Sequence, residues 1–134
     1  MIVLSNTTAQ TIAPGQSLLF NDVVLNTGCG ECHRRNTGSV KMRANGVYDV
    51  NFAANIASAT AGNPVQLTLT LGGSRLPETT MISTPAAANA FNSVSTQTYV
   101  KNCCGDYDRI SVTNTGTAAV IVGANPVFTV RRVS

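Results

Sequence analysis

The sequence has little of what most catalytic and nucleic-acid-binding sites are made from. Its 134 residues include no tryptophan and one histidine, and only 5% are aromatic and 11% charged. A single histidine among scattered carboxylates gives no support for a Ser–His–Asp arrangement. The aromatic residues are not interleaved with basic ones, so no base-stacking surface is expected. We therefore expect a protein that is not an enzyme and does not bind nucleic acid.

Long apolar runs are also missing. No segment approaches the length of a membrane-spanning helix, and residues 1–7 have neither a basic region nor an apolar stretch of signal-peptide length. We therefore do not expect the protein to insert into a membrane. We expect it to be made in a host cytoplasm and released to the outside by lysis. Thiols made in a cytoplasm are reduced at first and can oxidise after release.

Alternating apolar and polar residues dominate what is present. Residues 48–56 put one apolar and one mainly polar face on an extended segment, and residues 65–71 repeat the pattern before the Gly72-Gly73 turn signal. The same pattern predicts further strands over residues 17–20, 23–26, 40–43, 94–100, 109–114, 118–122 and 127–133.

Turn signals separate these predicted strands. Asn-Thr-Gly triplets at residues 26–28, 36–38 and 114–116, together with Asn45-Gly46, are interpreted as hairpin ends, because Asn and Gly tolerate positive φ. Residues 85–90, rich in alanine, are predicted to form a loop. Turns at this frequency are typical of an all-β protein.

Many short strands without a linker or a shift in composition predict one all-β domain over residues 1–134, a β-sandwich or jelly roll. Residues 1–7 are interpreted as an N-terminal arm that precedes the domain. A chain of this length buries roughly two thirds of its unfolded surface, so it needs no disulfide or metal in order to fold.

The four cysteines form two close pairs, Cys29 and Cys32 in "GCGECH" and the adjacent Cys103 and Cys104. They suit one or two disulfides between the pairs, a tetrahedral zinc site, or free thiols. Neighbouring side chains on a strand point apart, which favours disulfides over zinc. Such a disulfide closes a loop of about 70 residues and is worth about 4 kcal/mol in the chain-entropy model. Haem attachment through Cys-x-x-Cys-His is not expected, because the motif is acidic and flanked by glycine.

A basic cluster is the clearest charged feature, and it consists of His33, Arg34, Arg35, Lys41 and Arg43. It is interpreted either as a docking face for an acidic partner, such as a capsid or a glycan-bearing surface, or as a solvated hairpin. Both interpretations display it at one end of the sandwich.

The order of several motifs resembles the tumour necrosis factor-like jelly-roll superfamily, which includes the globular heads of complement's first component, and in particular its bacterial and phage members. The run "GSVKMRANGVYDVNFAANI" is followed by "VQLTLTLGG" and "CCGDYDRISVTNTG". Gly46, Tyr48 and residues 50–52 match a Gly-x-Tyr strand, and Gly105-Asp106 matches a Gly-Asp turn that leads into a strand. Residues 127–133 match the closing aliphatic strand.

This resemblance implies a homotrimer in which one sheet of each subunit packs around a threefold axis. Small and aliphatic residues such as Ala53, Ala57 and residues 120–122 either supply that interface or line the subunit's own core. Some heads of the superfamily bind Ca²⁺, and Asp106 with Asp108 either forms such a site or caps the turn. Turn capping is favoured, and no cofactor is expected.

The resemblance also implies a structural or display role. We expect a phage virion component on the particle surface, either a capsid decoration or a fibre-head protein. The alternatives are a carbohydrate- or receptor-binding adhesin or tail-tip module, and a bacterial spore-surface protein. Sugar sites usually rely on aromatic stacking, so the shortage of aromatic residues favours decoration.

Overall fold

Antiparallel strands form nearly all of the regular structure. The computed structural model describes residues 1–26, 31–33, 38–42, 45–72, 74–102 and 109–133, with the backbone alone for residue 26 and residues 31–33. The strands within these residues are β1 Ile2–Ser5, β2 Gln10–Ile12, β3 Asp22–Asn26, β4 Glu31–His33, β5 Ser39–Met42, β6 Gly46–Ala57, β7 Val65–Leu71, β8 Ser74–Arg75, β9 Met81–Ser83, β10 Asn92–Asn102, β11 Arg109–Asn114, β12 Val120–Val122 and β13 Val127–Arg132. One 3₁₀ turn, Pro77–Thr79, lies between β8 and β9. The all-β prediction is confirmed.

The strands form two antiparallel sheets. The first sheet has the order β2-β12-β6-β13-β1-β3, with β10 paired to the other edge of β6. The second sheet has the order β4-β5-β11-β7-β8, with β9 also paired to β7. The chain passes from one sheet to the other between β3 and β4, β5 and β6, β6 and β7, β9 and β10, β10 and β11, and β11 and β12. This crossing pattern confirms the predicted jelly-roll sandwich.

β6 is the central strand of the first sheet. It pairs with β10 from Gly46 to Ile56, with β13 from Tyr48 to Ala53, and with β12 at Ile56 and Ala57. Its side chains alternate as the sequence predicts, because Tyr48, Val50, Phe52 and Ile56 are buried while Ala53 and Asn55 are exposed. The inner face of this strand therefore supplies much of the core.

Three phenylalanines from distant parts of the chain meet in that core. The rings of Phe20 and Phe128 are stacked with centroids 5.3 Å apart, and Phe52 meets Phe128 edge-on at 6.2 Å. The second sheet packs against them with fully buried aliphatic residues of β7 and β11, namely Leu67, Leu69, Ile110 and Val112. Aromatic pairs of this kind add about 0.5–1.5 kcal/mol to the effect of burial alone.

The predicted strands are confirmed with small shifts at their ends, except for residues 17–20. Ser17 makes only an isolated bridge to Thr113, and the Leu18 amide donates to the Val112 carbonyl at 2.9 Å. Leu18 and Phe20 are nevertheless fully buried. The apolar pattern of residues 17–20 therefore predicts burial correctly but not a strand, because the main chain makes only a few hydrogen bonds to β11.

The interpretation of residues 1–7 as an arm is wrong. Ile2–Ser5 forms β1, which lies between β13 and β3, and the side chains of Ile2 and Leu4 are fully buried. Two buried apolar positions are too few for a clear alternation in the sequence. Pairing along both edges of this short strand provides the stability that its length does not.

The turn prediction for residues 114–116 is confirmed. The Asn114 side-chain oxygen accepts a hydrogen bond from the Gly116 amide at 3.0 Å, and its Nδ2 donates to the carbonyls of Ile12 and Ala118 at 2.8 and 2.9 Å. Asn114 is fully buried, so this side chain ties the end of β11 to the end of β2. Residues 85–90 form the predicted loop, whereas residues 27–28 and 36–37 lie outside the described residues.

Phe128→Ala tests the aromatic centre of the core. We expect the free energy of unfolding to fall by about 3–5 kcal/mol, because the substitution leaves a cavity beside Phe20 and Phe52. Ile82→Ala is the matched control, since Ile82 is 60% exposed, and we expect a change within about 0.5 kcal/mol. Urea unfolding measures both, and equal losses would contradict the assigned core.

Candidate interaction surface

The outer face of the first sheet carries a shallow groove. Ser95, Ala53 and Val127 occupy one row across β10, β6 and β13, and Gln97 and Asn51 begin the next row. Two overlapping depressions, of about 280 and about 440 Å³, share Ala53, Ser95 and Val127 in their lining. We call the five residues Asn51, Ala53, Ser95, Gln97 and Val127 the groove face. Small side chains at its centre let another main chain approach closely.

The groove face combines exposure with little charge. Ala53, Ser95 and Gln97 are exposed, and Val127 is 44% exposed. Tyr99, two residues beyond Gln97 on the same side of β10, is 62% exposed. An apolar residue and an aromatic ring beside small polar groups are typical of a surface that another protein covers.

A polar network borders the groove face. The Asp49 carboxylate accepts hydrogen bonds from Gln97 Nε2 at 2.9 Å and from Asn51 Nδ2 at 3.2 Å, and it forms an ion pair with Arg131 Nη2 at 3.1 Å. The Asp49 side chain is 7% exposed, whereas that of Arg131 is 54% exposed. Three donors therefore compensate for the burial of the carboxylate.

β10 is an edge strand of the first sheet. Its eleven residues all pair with β6, and no strand in the described part of the chain pairs with its other edge. The strand has no proline, and Lys101 is its one charged residue. A long edge with so little charge is prone to pair with another chain, and soluble proteins usually cover it.

A second exposed apolar segment lies on β3, at the opposite edge of the same sheet. Val23, Val24 and Leu25 are 44%, 66% and 40% exposed. The register between β1 and β3 shifts at Val3 and Leu4, so a bulge interrupts the pairing. Bulges twist an edge strand away from further pairing, which makes β3 the better protected of the two edges.

The outer face of the second sheet differs in that its hydroxyl groups bond to one another. Thr70 Oγ1 lies 2.6 Å from Ser111 Oγ and 3.1 Å from Thr113 Oγ1, and Thr68 Oγ1 lies 2.8 Å from Thr115 Oγ1. Thr68 and Thr70 are buried. Because these polar groups bond within the subunit, this face is a weaker candidate for an interface.

Most of the site residues predicted from the sequence lie outside the described residues. These are Cys29, Cys103, Cys104, Arg34, Arg35, Arg43, Asp106 and Asp108. Cys32 and His33 lie in β4, where they are in register with Lys41 and Val40 of β5. The disulfides, the zinc or calcium alternatives and the full basic cluster therefore stay predictions.

The structure separates the residues considered for an interface. Val120 and Val122 are buried between the sheets and line the subunit's own core. Ala57 is also fully buried, but it follows the inward-facing Ile56 and therefore lies on the same face of the sheet as Ala53. Ala53 is exposed at the centre of the groove face. No sequence pattern singles out its neighbours Ser95, Gln97 and Val127, because they come from β10 and β13, which only the register places beside Ala53.

The described ranges contain neither a candidate membrane-spanning helix nor a candidate metal site. No helix there is long and apolar enough to cross a membrane. No three His, Cys, Asp or Glu residues in those ranges are grouped so that they could hold a metal ion.

The two-sheet topology is that of tumour necrosis factor-like proteins and complement globular heads. The chain aligns with the globular domain of zebrafish complement 1qA protein at a TM-score of 0.74 and 14% identity, over 99% of this chain and 96% of that one. With Eiger TNF from S. frugiperda the TM-score is 0.78 at 12% identity, over 99% and 91% of the two chains. These matches confirm the fold that the sequence resemblance implied.

A third similar structure is the PRD1 vertex protein P5, with a TM-score of 0.54 and 19% identity over 99% of this chain and 94% of that one. No protein-family model matches the sequence, and a comparison with curated proteins finds no match. At these identities the likeness shows a shared fold.

Asp49→Ala and Arg131→Ala test the polar network. We expect Asp49→Ala to lower the free energy of unfolding by about 1–3 kcal/mol, since it removes the charged acceptor of part-buried hydrogen bonds from Asn51 and Gln97. Arg131→Ala should cost less than about 1 kcal/mol, because Arg131 is largely solvated and Asp49 keeps two donors. Thermal unfolding of both variants measures this, and a larger loss for Arg131→Ala would contradict it.

Proposed function

We propose that the chain is a non-enzymatic structural head that assembles as a homotrimer through the groove face. The observation that carries this is the juxtaposition of two unlike surfaces on one sheet. The centre of the groove face, at Ala53, Ser95 and Val127, is exposed and built from small side chains. Beside it runs the edge of β10, which carries the exposed Tyr99.

Unlike surfaces on one subunit favour a ring. If the β10 edge of one copy packs on the groove face of the next, the contact is heterologous, and repeating it around an axis closes a cyclic oligomer. That contact covers the groove face and the long edge of β10 at once. Three copies agree with the trimer that the resemblance to complement globular heads implies, and the structural likeness to those heads supports it.

The place of this head is a virion surface, as a capsid decoration or fibre-head protein. The similarity in fold to a phage vertex protein supports this assignment. A weakly charged sandwich with no candidate catalytic group among the described residues suits a structural component better than an enzyme.

A carbohydrate- or receptor-binding module is the second candidate, because two aromatic side chains are well exposed. Phe91 is 49% and Tyr99 62% exposed. They are eight residues apart on or beside one strand, which places them about 26 Å from each other. A separation of that size is too large for one sugar-stacking platform, so this function has less support than decoration. A spore-surface protein is a further alternative, in which the same homotrimer is displayed on a spore instead of a phage particle.

Native mass spectrometry with Ala53→Arg tests the oligomer. We expect three chains for the unaltered protein and one for Ala53→Arg, because a long cation then fills the centre of the groove face. Ala61→Arg is the matched control, since Ala61 is exposed in the turn between β6 and β7, and it should stay trimeric. A monomeric unaltered protein, or a trimeric Ala53→Arg with native circular dichroism, would contradict the assignment.

Immunogold labelling tests the location. In lysates of the cells that make the protein, we expect gold on the surface of intact phage particles. Label on spores, or on cells without particles, would assign the protein to one of the alternatives.

Mass measurement before and after reduction tests the cysteine prediction. If Cys29 and Cys32 pair with Cys103 and Cys104, each subunit of the released protein gains the mass of four hydrogens on reduction. A bound metal would instead add mass that a chelator removes, and no change with either treatment would indicate free thiols.

A further inference from the structure

Two amide side chains beside Asp49 have a fixed orientation. Asn51 Nδ2 and Gln97 Nε2 both donate to Asp49 Oδ1, at 3.2 and 2.9 Å. Asp49 is paired with Arg131 as a carboxylate, and a carboxylate accepts hydrogen bonds without donating any, so the amide nitrogens have to face it. The amide oxygens of Asn51 and Gln97 therefore point away from Asp49, as two acceptors on the groove face.

These two oxygens have no donor within the described part of the chain. The side chains of Asn51 and Gln97 bond there to Asp49 alone. Thr129 lies opposite Asn51 in the register of β13 and β6, but its hydroxyl forms no bond to Asn51. Water can bond to both oxygens in an isolated subunit, whereas a partner that covers the groove face removes that water. A covered amide oxygen then requires a donor from the partner, because a buried polar group without a hydrogen bond is destabilising.

The Tyr99 hydroxyl is a donor that also lacks a partner. Tyr99 lies directly opposite Asp49 in the register of β10 and β6, and it is 62% exposed. Within the described residues it forms neither a hydrogen bond nor a ring contact. A tyrosine that becomes buried at an interface usually finds a hydrogen-bond partner for its hydroxyl.

The direction of the ring axis determines which residues of two copies meet, a step that rests on the proposed homotrimer. The β10 edge contacts the groove face of the next copy along its length only if the strands of both copies run in nearly the same direction. Rotation by a third of a turn preserves a direction only when that direction lies along the axis. The strands therefore run along the ring axis, and each residue has the same height along the axis in all three copies.

Height along the axis brings the Tyr99 hydroxyl to the amide oxygens. Tyr99 is two residues from Gln97, which lies opposite Asn51, so the heights of Tyr99 and Asn51 differ by about 6.6 Å. A tyrosine side chain is long enough to span that difference. Lys101 on the same face of β10 is four residues from Gln97, or about 13 Å, which is too far for its ammonium group.

The remaining donors on the outer face of β10 are less suitable. Ser95 is as far from Asn51 in height as Tyr99 is, but its side chain is short. Gln97 Nε2 is already bonded to Asp49. Of the two acceptors, Asn51 is the one on the face that the next copy covers, because it belongs to the central strand β6 whereas Gln97 lies on the edge strand itself.

We propose that the Tyr99 hydroxyl of one copy donates a hydrogen bond to Asn51 Oδ1 of the next copy. Each subunit then completes the polar network of its neighbour, in which Asp49 orients the acceptor. Cyclic symmetry repeats the bond at each of the three contacts. The bonds fix the relative height of the subunits, because sliding one copy along the strands by two residues breaks them.

Sedimentation of the protein over a dilution series tests the proposal. We expect Tyr99→Phe to raise the overall dissociation constant of the trimer at least about a hundredfold, equivalent to about 2.8 kcal/mol, because it removes three donors and keeps the rings. Thr98→Val is the matched control, since it removes a hydroxyl from the adjacent residue, which faces the other side of β10. We expect the control to change the dissociation constant less than about threefold.

A double-mutant cycle identifies the acceptor. In Asn51→Ala, where the acceptor is absent, we expect Tyr99→Phe to change the dissociation constant less than about threefold, whereas in Gln97→Ala its effect should persist at full size. A Tyr99→Phe trimer as stable as the unaltered one, or an undiminished effect in Asn51→Ala, would overturn the proposal and leave the homotrimer intact. A monomeric unaltered protein would instead overturn the homotrimer itself.

Discussion

Pairing along both edges of β6 is the constraint on which the rest of the first sheet depends. Because side chains on a strand alternate, burying Tyr48, Val50 and Phe52 requires that Asp49 and Ala53 face outward. The partners of β6 add their own residues in register beside these two. The groove and the polar network are thus consequences of how the core is packed. A shift of one residue would exchange the inner and outer sets entirely.

The outer face of the first sheet and one end of the sandwich differ in charge. The side of the first sheet is nearly uncharged at its centre and has an edge strand that needs a cover. The end where β6 starts collects cations from both sheets. The proposed ring requires close packing of small groups, which the groove face offers. The hydroxyl-lined second sheet bonds within itself and remains outward in such an assembly.

Strands with sustained alternation were predictable because their periodicity reports directly which side faces the core, as in residues 48–56 and 65–71. Short strands such as β1 were not, since Ile2 and Leu4 offer only two buried positions. The residue pairs that form the surface features were harder still to predict from the sequence. Arg131 and Asp49 are 82 positions apart, and Arg109 meets Lys41 only through the register of β11 and β5. Local sequence patterns carry no information about such pairs, which tertiary packing creates.

The position of β13 affects the order in which the first sheet can form while the protein is being synthesised. β13 comes last of the described strands, yet it separates β6 from β1 and so connects β1 and β3 to the rest of the first sheet. On a ribosome, β1 and β3 emerge early but cannot join β6 until β13 has been synthesised. During that interval the apolar residues Val23, Val24 and Leu25 belong to an unfinished sheet. Contacts so distant in sequence form slowly, so the first sheet is completed late in folding.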